Sequence, residues 1–494
     1  MTAKPTAPTR LAWETLLDPS ATRPGPLNRR LAAAIRSAVR DGRLPLGAAL
    51  PPSRTLADDL RVSRWTVTQA YGQLVTEGYL TARTGSATRV NWSPQPDDAH
   101  VGRPVKAATT APAPPVRYDL FSGRSDLRAF PRRKWVEAIR VAAETASYDQ
   151  LDRAEPGGHP RLRAVLAEHL NRSRGAAAEP DTTSIFAGAG QGMSQISHAL
   201  LASGHRLLGV ENPGSPRLWQ AAQDVGLGLV PLPVDDSGLV VEALADHPEV
   251  RAVCVGAARQ VALGVPLAPS RRAALLDWAR GHDGLIIEDD YDAEFTFDGP
   301  ALATIQGSEP GRVFLLGSMS KTLSPTVSVG WVVAPRRWVP AVRTEYEISA
   351  MPTTLNQLAL AHFMESGAYD RYLRASRQRL RVRRAALADA LRRRLPQCRV
   401  SDHESGLDLV LELPPGTDAD AVFAAAERRD MVLCDLNGLF LEPVPDSHPR
   451  LLLGYGNLND SVIDEAVGIL SDIIASHAAG QDRSAAPSAP ARSR

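Results

Sequence analysis

Two short runs of the sequence carry side chains suited to binding an aldehyde cofactor. In one run, an apolar stretch leads to Lys321, whose amine can form a Schiff base. In the other, which lies earlier in the chain, an apolar stretch leads to Asp289 and Tyr291. A carboxylate can pair with a pyridinium nitrogen, and a phenol can donate a hydrogen bond to a ring oxygen. Together the three groups predict a site for pyridoxal 5′-phosphate.

A phosphate cup is the fourth requirement of that cofactor. Ser318 and Ser320 flank the lysine. Gly188, Ala189 and Gly190 follow a strand-like run and open a helix, so their backbone N–H groups and the helix dipole could hold the phosphate. A glycine-rich turn is a weak signal by itself, and an acid after a strand is common. A serine-flanked lysine that follows such an acid and tyrosine is much less often accidental.

Nearly continuous apolar runs alternate with helical patterns from residue 118 onward. Such runs are typical of parallel strands that are buried on both faces of a sheet. The predicted strands include residues 184–187, 206–210, 250–255, 284–287 and 313–316. We therefore predict an α/β domain over residues 118–476, with a smaller C-terminal α+β lobe after about residue 350.

A different module is predicted over residues 21–91, so that the chain is multidomain. This segment holds 11 Arg and 4 Asp or Glu, a charge of +7, whereas the whole chain carries +1, which leaves −6 for the rest. A local basic excess favours binding to phosphate groups. A solvated basic face would give the same charge, so the helical pattern has to decide.

The helical pattern of this module is typical of a helix-turn-helix followed by a wing. Apolar residues recur every four positions over residues 27–39, which predicts an amphipathic helix. Ser53 and Ser63 are placed to cap two further helices, the second over about 64–77. Residues 81–90 predict a small hairpin.

The second capped helix is the predicted reading helix. Arg64, Trp65 and Thr68 face away from its apolar side, and Thr66 lies near its N-terminus, where such helices meet base edges and phosphates. A helical module that binds other proteins is the alternative. The order of cap, core and wing, together with the local charge, favours double-stranded DNA.

Residues 50–80 resemble the winged helix-turn-helix of GntR-type regulators. They match the pattern LPxSRxLAxxLxVSRxTVxxAYxxLxxEGYL almost residue by residue. The resemblance implies that Arg54, Ser63, Arg64, Thr66 and the wing at Gly85 contact DNA. Thr68 stands where related proteins can place an arginine, which leaves the base preference at that position open.

Residues 118–475 resemble fold-type-I aminotransferases, and with the front module the chain is similar to the MocR subfamily of GntR regulators. The blocks EDDYDxEF and SKTL of that subfamily are present at residues 288–295 and 320–323. The resemblance implies a homodimeric transcriptional regulator, with a domain-swapped dimer as one arrangement. Its aminotransferase-like domain would sense pyridoxal 5′-phosphate through a Schiff base on Lys321, alone or with an amino compound as effector.

Several positions depart from the pattern of the subfamily. Ser328 replaces an arginine that neutralises the phosphate, and Ser215 replaces a tyrosine near the cofactor. Leu452 replaces the arginine that binds the substrate carboxylate in transaminases, with Arg450 two residues earlier. Arg259 replaces a histidine, and we hypothesise that its charge compensates for the loss at position 328. These changes argue against efficient transamination.

Two other functions are compatible with the sequence. An active aminotransferase would keep the cofactor chemistry, although Leu452 argues against it. A regulator that has lost the cofactor would use the domain only as a dimer scaffold or to sense another ligand. The changes at Ser215, Arg259 and Ser328 keep this alternative open.

The remaining segments are predicted to be linkers and tails. Residues 1–20 predict a flexible lead-in, the Pro/Ala-rich residues 92–117 a linker, and residues 477–494 a disordered tail. Three scattered cysteines predict neither a disulfide framework nor a zinc site and fit a reducing cytosol. Since no apolar stretch is long enough to cross a bilayer, we expect a cytoplasmic protein.

Overall fold

The computed structural model describes residues 13, 25–82, 87–92, 116–297, 302–344, 351–401, 405–442 and 449–478. The chain divides into two compact units, Met1–Ala113 and Pro114–Arg494. Most of the predicted lead-in, linker and tail lies outside the described residues. The predicted domain limits therefore stay a prediction.

Within residues 25–82 and 87–92, the N-terminal unit contains three helices and a two-stranded hairpin. The helices are α1 (Leu27–Arg40), α2 (Ser53–Asp59) and α3 (Arg64–Thr76), and the strands are β1 (Leu80–Thr81) and β2 (Arg89–Val90). The strands pair antiparallel, with Leu80 opposite Val90. Apolar residues of all three helices and of both strands form one buried cluster. The prediction of a winged helix-turn-helix is confirmed.

The two predicted helix caps have different outcomes. Ser63 caps α3, since its side chain accepts a hydrogen bond from the Thr66 backbone N–H at 3.1 Å. The cap predicted at Ser53 is wrong, because no side chain caps the start of α2. Pro52 occupies the capping position with an extended backbone, and Ser53 is already the first helical residue.

The larger lobe of the C-terminal unit is built on an eight-stranded sheet. Its helices are α4 (Arg132–Thr145), α5 (Tyr148–Asp152), α6 (Pro160–Arg174), α7 (Ala189–Ala202), α8 (Pro216–Val225), α9 (Pro269–Gly281), α10 (Val339–Thr344) and α11 (Thr354–Glu365). Its strands are β4 (Thr183–Phe186), β5 (Leu207–Asn212), β6 (Gly228–Asp235), β7 (Gly238–Leu239), β8 (Ala252–Val255), β9 (Leu285–Asp289), β10 (Val313–Ser318) and β11 (Gly330–Val333). Their order in the sheet is β4-β11-β10-β9-β8-β5-β6-β7.

The sheet is mixed, which corrects the prediction of a parallel sheet. Neighbours from β10 through β9, β8 and β5 to β6 are parallel, but β11 runs antiparallel to both β10 and β4. The segment between β10 and β11 holds Lys321 and no α-helix that could carry the chain back for a parallel return. Strand β11 therefore has to run in the opposite direction.

Helices cover the sheet through three buried apolar clusters. Met193 of α7 and Trp219 of α8 belong to one cluster with sheet residues. Leu166 of α6 and Phe363 of α11 belong to a second, and Leu275 of α9 to a third. The predicted α/β architecture is confirmed.

The smaller lobe contains a four-stranded antiparallel sheet and three helices. Its elements are α12 (Ala368–Arg394), β12 (Arg399–Val400), β13 (Asp408–Glu412), α13 (Ala419–Glu427), β14 (Met431–Val432), β15 (Cys434–Asp435), β16 (Arg450–Gly454) and α14 (Ile463–Ala478). The strand order is β12-β13-β16-β15. A further strand, β3 (Tyr118–Asp119), opens the C-terminal unit and pairs parallel with β14. The first strand after the predicted linker is therefore part of the smaller lobe, although the other strands of that lobe come from the C-terminal part of the chain.

No helix in the described ranges has the length and apolar character needed to cross a membrane.

Candidate cofactor site and DNA-binding surface

The register of β9 and β10 brings the two predicted cofactor runs together. The strands are parallel, Asp289 lies opposite Leu316, and the Asp290 backbone N–H donates to the Leu316 carbonyl at 2.8 Å. Lys321 follows three residues after Ser318, the last residue of β10. The carboxyl ends of neighbouring parallel strands form one edge, where α/β sheets bind their ligands. Asp289 and Lys321 therefore share one crevice.

Lys321 is held by a segment that the sequence analysis did not identify. Its half-buried Nζ donates a hydrogen bond to the Gly123 carbonyl at 2.5 Å. The φ of Gly123 is +66°, a left-handed conformation that favours glycine, and a Cβ atom there would displace the Lys321 amine. The Gly123 N–H donates in turn to Asp408 Oδ1 at 2.8 Å. No local signal could predict a contact across 198 positions of sequence.

Asp289 differs from the adjacent Glu288 and Asp290 in having an unsatisfied oxygen, a feature that it shares with Asp292. Glu288 accepts two backbone N–H bonds at 2.9 Å, and Asp290 forms a buried ion pair with Arg174 at 2.8 Å. Asp289 Oδ1 is buried and has no hydrogen-bond partner among the described residues. Burial, reinforced by the nearby carboxylates, raises the pKa of Asp289 to about 7, while the charge of Lys321 acts in the opposite direction.

Tyr291 is positioned by Arg259. The Arg259 guanidinium donates to the Tyr291 hydroxyl oxygen and, at 3.1 Å, to Asp292 Oδ2. Burial raises the pKa of Tyr291 well above its ordinary range, so the phenol stays protonated and its own O–H remains available as a donor.

The hypothesis that Arg259 supplies the missing phosphate charge is not supported by these contacts. Arg259 is only 4% exposed and lies within 4 Å of carboxylate oxygens of both Asp292 and Asp408. Burial works against its charged form, but these carboxylates and Tyr291 outweigh it and raise the pKa of Arg259. The positive charge is therefore already neutralised by buried acids, one of which comes from the smaller lobe.

The predicted phosphate cup is assembled by close glycine packing. Ser318 lies opposite Gly330 in the β10–β11 pair, and a Cβ at Gly330 would lie 2.7 Å from the Gly188 backbone. The turn through Gly188 leads directly into α7 at Ala189. Backbone N–H groups in the first turn of a helix have no intrahelical acceptor. The turn at Gly188, the N-terminus of α7 and the C-terminal end of β10 therefore lie close together.

The serines of the cup contribute unequally. Ser318 Oγ accepts a hydrogen bond from the Ser320 backbone N–H at 3.4 Å, and the Ser320 side chain is partly exposed. Ser328, at the position of the missing arginine, donates its hydroxyl hydrogen to the Ala187 carbonyl at 3.1 Å. Ser328 thus holds the turn but brings no positive charge.

Arg217 is a second residue that the sequence analysis missed. Its Nε lies 3.3 Å from the position of a Cβ at Gly190, beside the N-terminus of α7. The side chain is exposed and makes no ion pair or hydrogen bond among the described residues. The only sequence signal is its position two residues after Ser215, where the family tyrosine is absent.

The position of the transaminase arginine is closed by apolar packing. Leu452 is 1% exposed and packs with Ala262, Val410 and Leu436. Arg450 lies 3.2 Å from Glu412 and lines a separate cleft. Neither side chain offers a free positive charge to the crevice.

The predicted DNA-contacting residues form an exposed surface at the start of α3, with one exception. Arg54, Ser63, Arg64 and Thr68 are exposed, and Trp65 is 66% exposed. Thr66 is buried, and its hydroxyl lies 2.8 Å from Ser63 Oγ, so it supports the cap. Gly85 lies outside the described residues.

The two units of the chain match two different families of known proteins. Residues 27–90 match the family "Bacterial regulatory proteins, gntR family", and residues 125–446 match "Aminotransferase class I and II". The chain is 35% identical over 395 residues to the HTH-type pyridoxine biosynthesis transcriptional regulator PdxR of Corynebacterium glutamicum, covering 78% of this chain and 83% of that one. The chain belongs to the MocR subfamily of GntR-type transcriptional regulators.

Other relatives of this MocR-type regulator match over nearly the whole chain. The probable rhizopine catabolism regulatory protein MocR of Rhizobium meliloti is 29% identical over 90% of this chain and 93% of its own. The transcriptional regulator TauR of Rhodobacter capsulatus is 29% identical over 90% of this chain and 95% of its own. The MocR-type chain is accordingly a DNA-binding transcriptional regulator with an aminotransferase-like domain.

Solved structures show the fold of that domain. An archaeal alanine:glyoxylate aminotransferase superposes with a TM-score of 0.67 at 21% identity, covering 73% of the MocR-type chain and 91% of its own. The α-aminoadipate aminotransferase LysN of Thermus thermophilus, complexed with N-(5′-phosphopyridoxyl)-L-leucine, gives 0.66 at 21% identity, covering 74% and 94%. At this identity the similarity establishes the fold alone.

Proposed function

We propose that this regulator binds pyridoxal 5′-phosphate covalently at Lys321 and that occupancy of this site controls DNA binding. The observation that carries the proposal is the unsatisfied Asp289 Oδ1 beside two fully satisfied acids, Glu288 and Asp290. A buried acceptor without a donor costs free energy, so such an atom favours a ligand that donates to it. A protonated pyridine nitrogen is a donor of complementary charge.

The residues around Asp289 have distinct parts in this proposal. When bound, pyridoxal 5′-phosphate supplies an aldehyde that condenses with primary amines. Lys321 places an amine in the crevice, where the Gly123 carbonyl orients it. Tyr291 accepts from Arg259 and keeps its own hydrogen for the ring oxygen.

The phosphate end of the site would be held without the usual arginine. The N–H groups at the start of α7 and the hydroxyls of Ser318 and Ser320 supply neutral donors. Arg217 supplies the positive charge that Ser328 lacks, since its guanidinium is unpaired and lies beside Gly190. Charged hydrogen bonds to phosphate are stronger than neutral ones, so Arg217 carries a large share of the affinity.

The comparison with PdxR agrees with this assignment. That relative is named for the regulation of pyridoxine biosynthesis and shares 35% identity with this chain. Pyridoxine is chemically related to the proposed ligand. The proposal places this chain among regulators that respond to the same group of compounds.

Self-association is also proposed, from apolar side chains that the C-terminal unit leaves exposed. Val136 on α4 is 64% exposed, and Tyr148 and Leu151 on α5 are 93% and 57% exposed. Exposed apolar side chains that lie close together are typical of protein interfaces. A homodimer through α4 and α5 would bury them and present two winged helices to paired half-sites on DNA.

Efficient transamination is not part of the proposal. The buried Leu452 offers no positive charge to a substrate carboxylate, and Arg450 is engaged with Glu412. A site of this kind can hold a cofactor and an amine without orienting an amino acid for turnover. The domain would then act as a sensor.

The deciding experiment is the visible absorption spectrum of the purified protein with added pyridoxal 5′-phosphate, followed by borohydride trapping and peptide mapping. The sequence has four lysines, Lys4, Lys106, Lys134 and Lys321, so the map is simple. Wild type and the exposed-lysine control Lys134→Ala are expected to show a new band and a trapped label on Lys321. Lys321→Ala should show neither.

The possible results separate the alternatives. No band in wild type would contradict cofactor binding and leave a cofactor-free sensor or scaffold. A band that disappears on adding amino acids, with formation of the corresponding keto acid, would reveal an active aminotransferase. DNA binding measured with and without the cofactor, on a fragment selected from a random library, then tests the regulatory half of the proposal.

A further inference from the structure

A small cavity that is partly open to solvent lies beside Asp289 at the carboxyl ends of three adjacent strands. Its volume is about 20 Å³, which is room for about one water molecule. Glu211 near the end of β5, Cys254 of β8 and Asp289 of β9 all line it. Strand β8 lies between β5 and β9, so the backbones of the two acidic strands are roughly 10 Å apart. Two carboxylate side chains and one water can span that distance.

Glu211 has an unsatisfied oxygen, like Asp289. It is 7% exposed, and its Oε2 accepts a hydrogen bond from the Gly256 N–H at 3.2 Å. Its Oε1 is buried and has no partner among the described residues. Asp289 Oδ1 is also buried without a hydrogen-bond partner among the described residues, so two unsatisfied carboxylate oxygens belong to residues that line one cavity. A proton on Glu211 would be shared with Asp289 Oδ1, directly or through a water, and the second lone pair of that oxygen would stay available to a cofactor donor.

The surroundings do not allow both acids to be charged. Two like charges on buried groups repel strongly, and one of them takes up a proton. The titratable groups that share the cavity with Glu211 are Asp289 from β9, Cys254 from β8, and Arg259 and Tyr291 from the loops after these strands, and Ser215 adds a neutral hydroxyl. Helix α8 adds only the apolar Leu218 and Trp219. Arg259 is already paired with Asp292, so it does not neutralise Glu211.

We propose that Glu211 is a positioning residue that carries the proton of this pair, so that Asp289 alone presents a negative charge to the cofactor ring. This inference rests on the proposed cofactor site and deepens it. Glu211 touches neither the cofactor nor Lys321, and it acts only through Asp289. Its neutral carboxyl keeps Asp289 ionised and fixes the direction of the ionised oxygen.

The electrostatics of the two acids agree with this assignment. Burial raises the pKa of Glu211 to about 8, with a further increase from Asp289, against the lowering effects of its hydrogen bond to Gly256 and of the Gln260 side chain. The corresponding value for Asp289 is about 7. The charge of Lys321 lowers the pKa of Asp289 but does not act on Glu211, so the ionised form is favoured at Asp289 and the proton at Glu211.

The first test locates the proton in the cofactor-free protein by infrared spectroscopy. Wild type is expected to show a protonated-carboxyl carbonyl absorption at neutral pH that is lost in Glu211→Gln. Glu249→Gln, which removes an exposed acid, should keep it. In Asp289→Asn the repulsion is absent, so the same absorption should be lost at a lower pH than in wild type. Persistence of the absorption in Glu211→Gln would overturn the inference.

The second test follows the absorption spectrum of the protein with pyridoxal 5′-phosphate as the pH is raised. Wild type and Glu249→Gln should show a spectral transition that coincides with deprotonation of Glu211, and Glu211→Gln should lack it. An unchanged transition in Glu211→Gln would show that Glu211 does not act on the cofactor ring. If wild type binds no cofactor, the proposed function fails, while the infrared result still decides where the proton resides.

Discussion

Arg217 is a single exposed side chain on which the affinity for the cofactor phosphate is expected to depend. It lies beside Gly190 without a partner among the described residues, while Arg259 is paired with buried acids. We expect Arg217→Leu to weaken pyridoxal 5′-phosphate binding by roughly ten- to a hundredfold, the effect of losing one charged hydrogen bond. Spectrophotometric titration measures the dissociation constant.

The matched control for Arg217 is another exposed arginine of the same lobe. Arg336→Leu removes a surface side chain that pairs with Glu179 and should leave the affinity unchanged. Equal affinities of Arg217→Leu and wild type would show that the helix N-terminus and the serines suffice.

Trp65 is the side chain expected to matter most at the surface of α3. It is 66% exposed at the start of the helix, next to Arg64, so its removal should not disturb the core. We expect Trp65→Ala to weaken binding to a selected DNA fragment by roughly tenfold, since an exposed indole gains by burial against the duplex. Fluorescence anisotropy measures the affinity, and Val75→Ala at the other end of α3 is the control. Equal loss in both variants would contradict a specific role for Trp65.

Residue types and spacing predicted part of the site. The runs that end in Asp289 and Lys321 could be brought together from the sequence, because each follows an apolar strand and the carboxyl ends of parallel strands meet. The partners of Arg259 could not, because the sequence shows a charge but not the buried Asp408, on a distant strand of the other lobe, that lies beside it. Their roles in binding stay predictions.

At the scale of elements, one buried ion pair ties α6 to the end of the cofactor strand β9. Arg174 and Asp290 are 1% and 4% exposed at their side chains and 2.8 Å apart. We expect Asp290→Asn to lower the free energy of unfolding by about 3–5 kcal/mol, because it leaves the arginine charge buried without a counterion. Denaturant unfolding of the C-terminal unit in the full chain measures this.

The control for this pair is an ion pair on the surface. Glu137→Gln breaks the exposed contact with Lys134 and should leave the free energy of unfolding nearly unchanged. Replacing both Arg174 and Asp290 with apolar residues should recover much of the stability lost in the single variant. Equal losses in Asp290→Asn and Glu137→Gln would contradict the importance of burial.

The sequence predicted which segments form strands better than it predicted the directions and pairing of those strands. Strands β4, β5, β8, β9 and β10 follow from continuous apolar runs. The antiparallel β11 and the pairing of β3 with β14 were not predicted, because both depend on where a connection lets the chain return. The hydrophobic periodicity of a sequence predicts which face of an element is buried, but it does not predict which strands will pair.

At the scale of the whole molecule, the exposed apolar side chains of α4 and α5 predict the oligomeric state. We expect wild type to have twice the 53.0 kDa mass of one chain by light scattering, and Tyr148→Asp to shift it towards the monomer. A charge placed in an apolar interface cannot be desolvated cheaply. Val382→Asp, on an exposed side chain of α12, is the control and should stay dimeric. A monomeric wild type would contradict the proposed dimer.

The distribution of charge along the sequence predicted which of the two units binds DNA. The +7 segment coincides with the unit that matches the gntR family, and the −6 remainder includes the aminotransferase-like domain. The assignment succeeded because phosphate recognition demands local positive charge whatever the total charge of the chain.

The pairing of β3 with β14 fixes the chain in the smaller lobe directly after the predicted linker. Arg117, at the end of the predicted linker, pairs with Glu465 of α14, and the strand that follows is fixed in the smaller lobe. A few residues later, the Gly123 carbonyl holds the Lys321 amine. A short span of backbone therefore connects the start of the C-terminal unit to the residue that holds the Lys321 amine. The chain enters this unit only a few peptide bonds from the carbonyl that orients that one nitrogen atom.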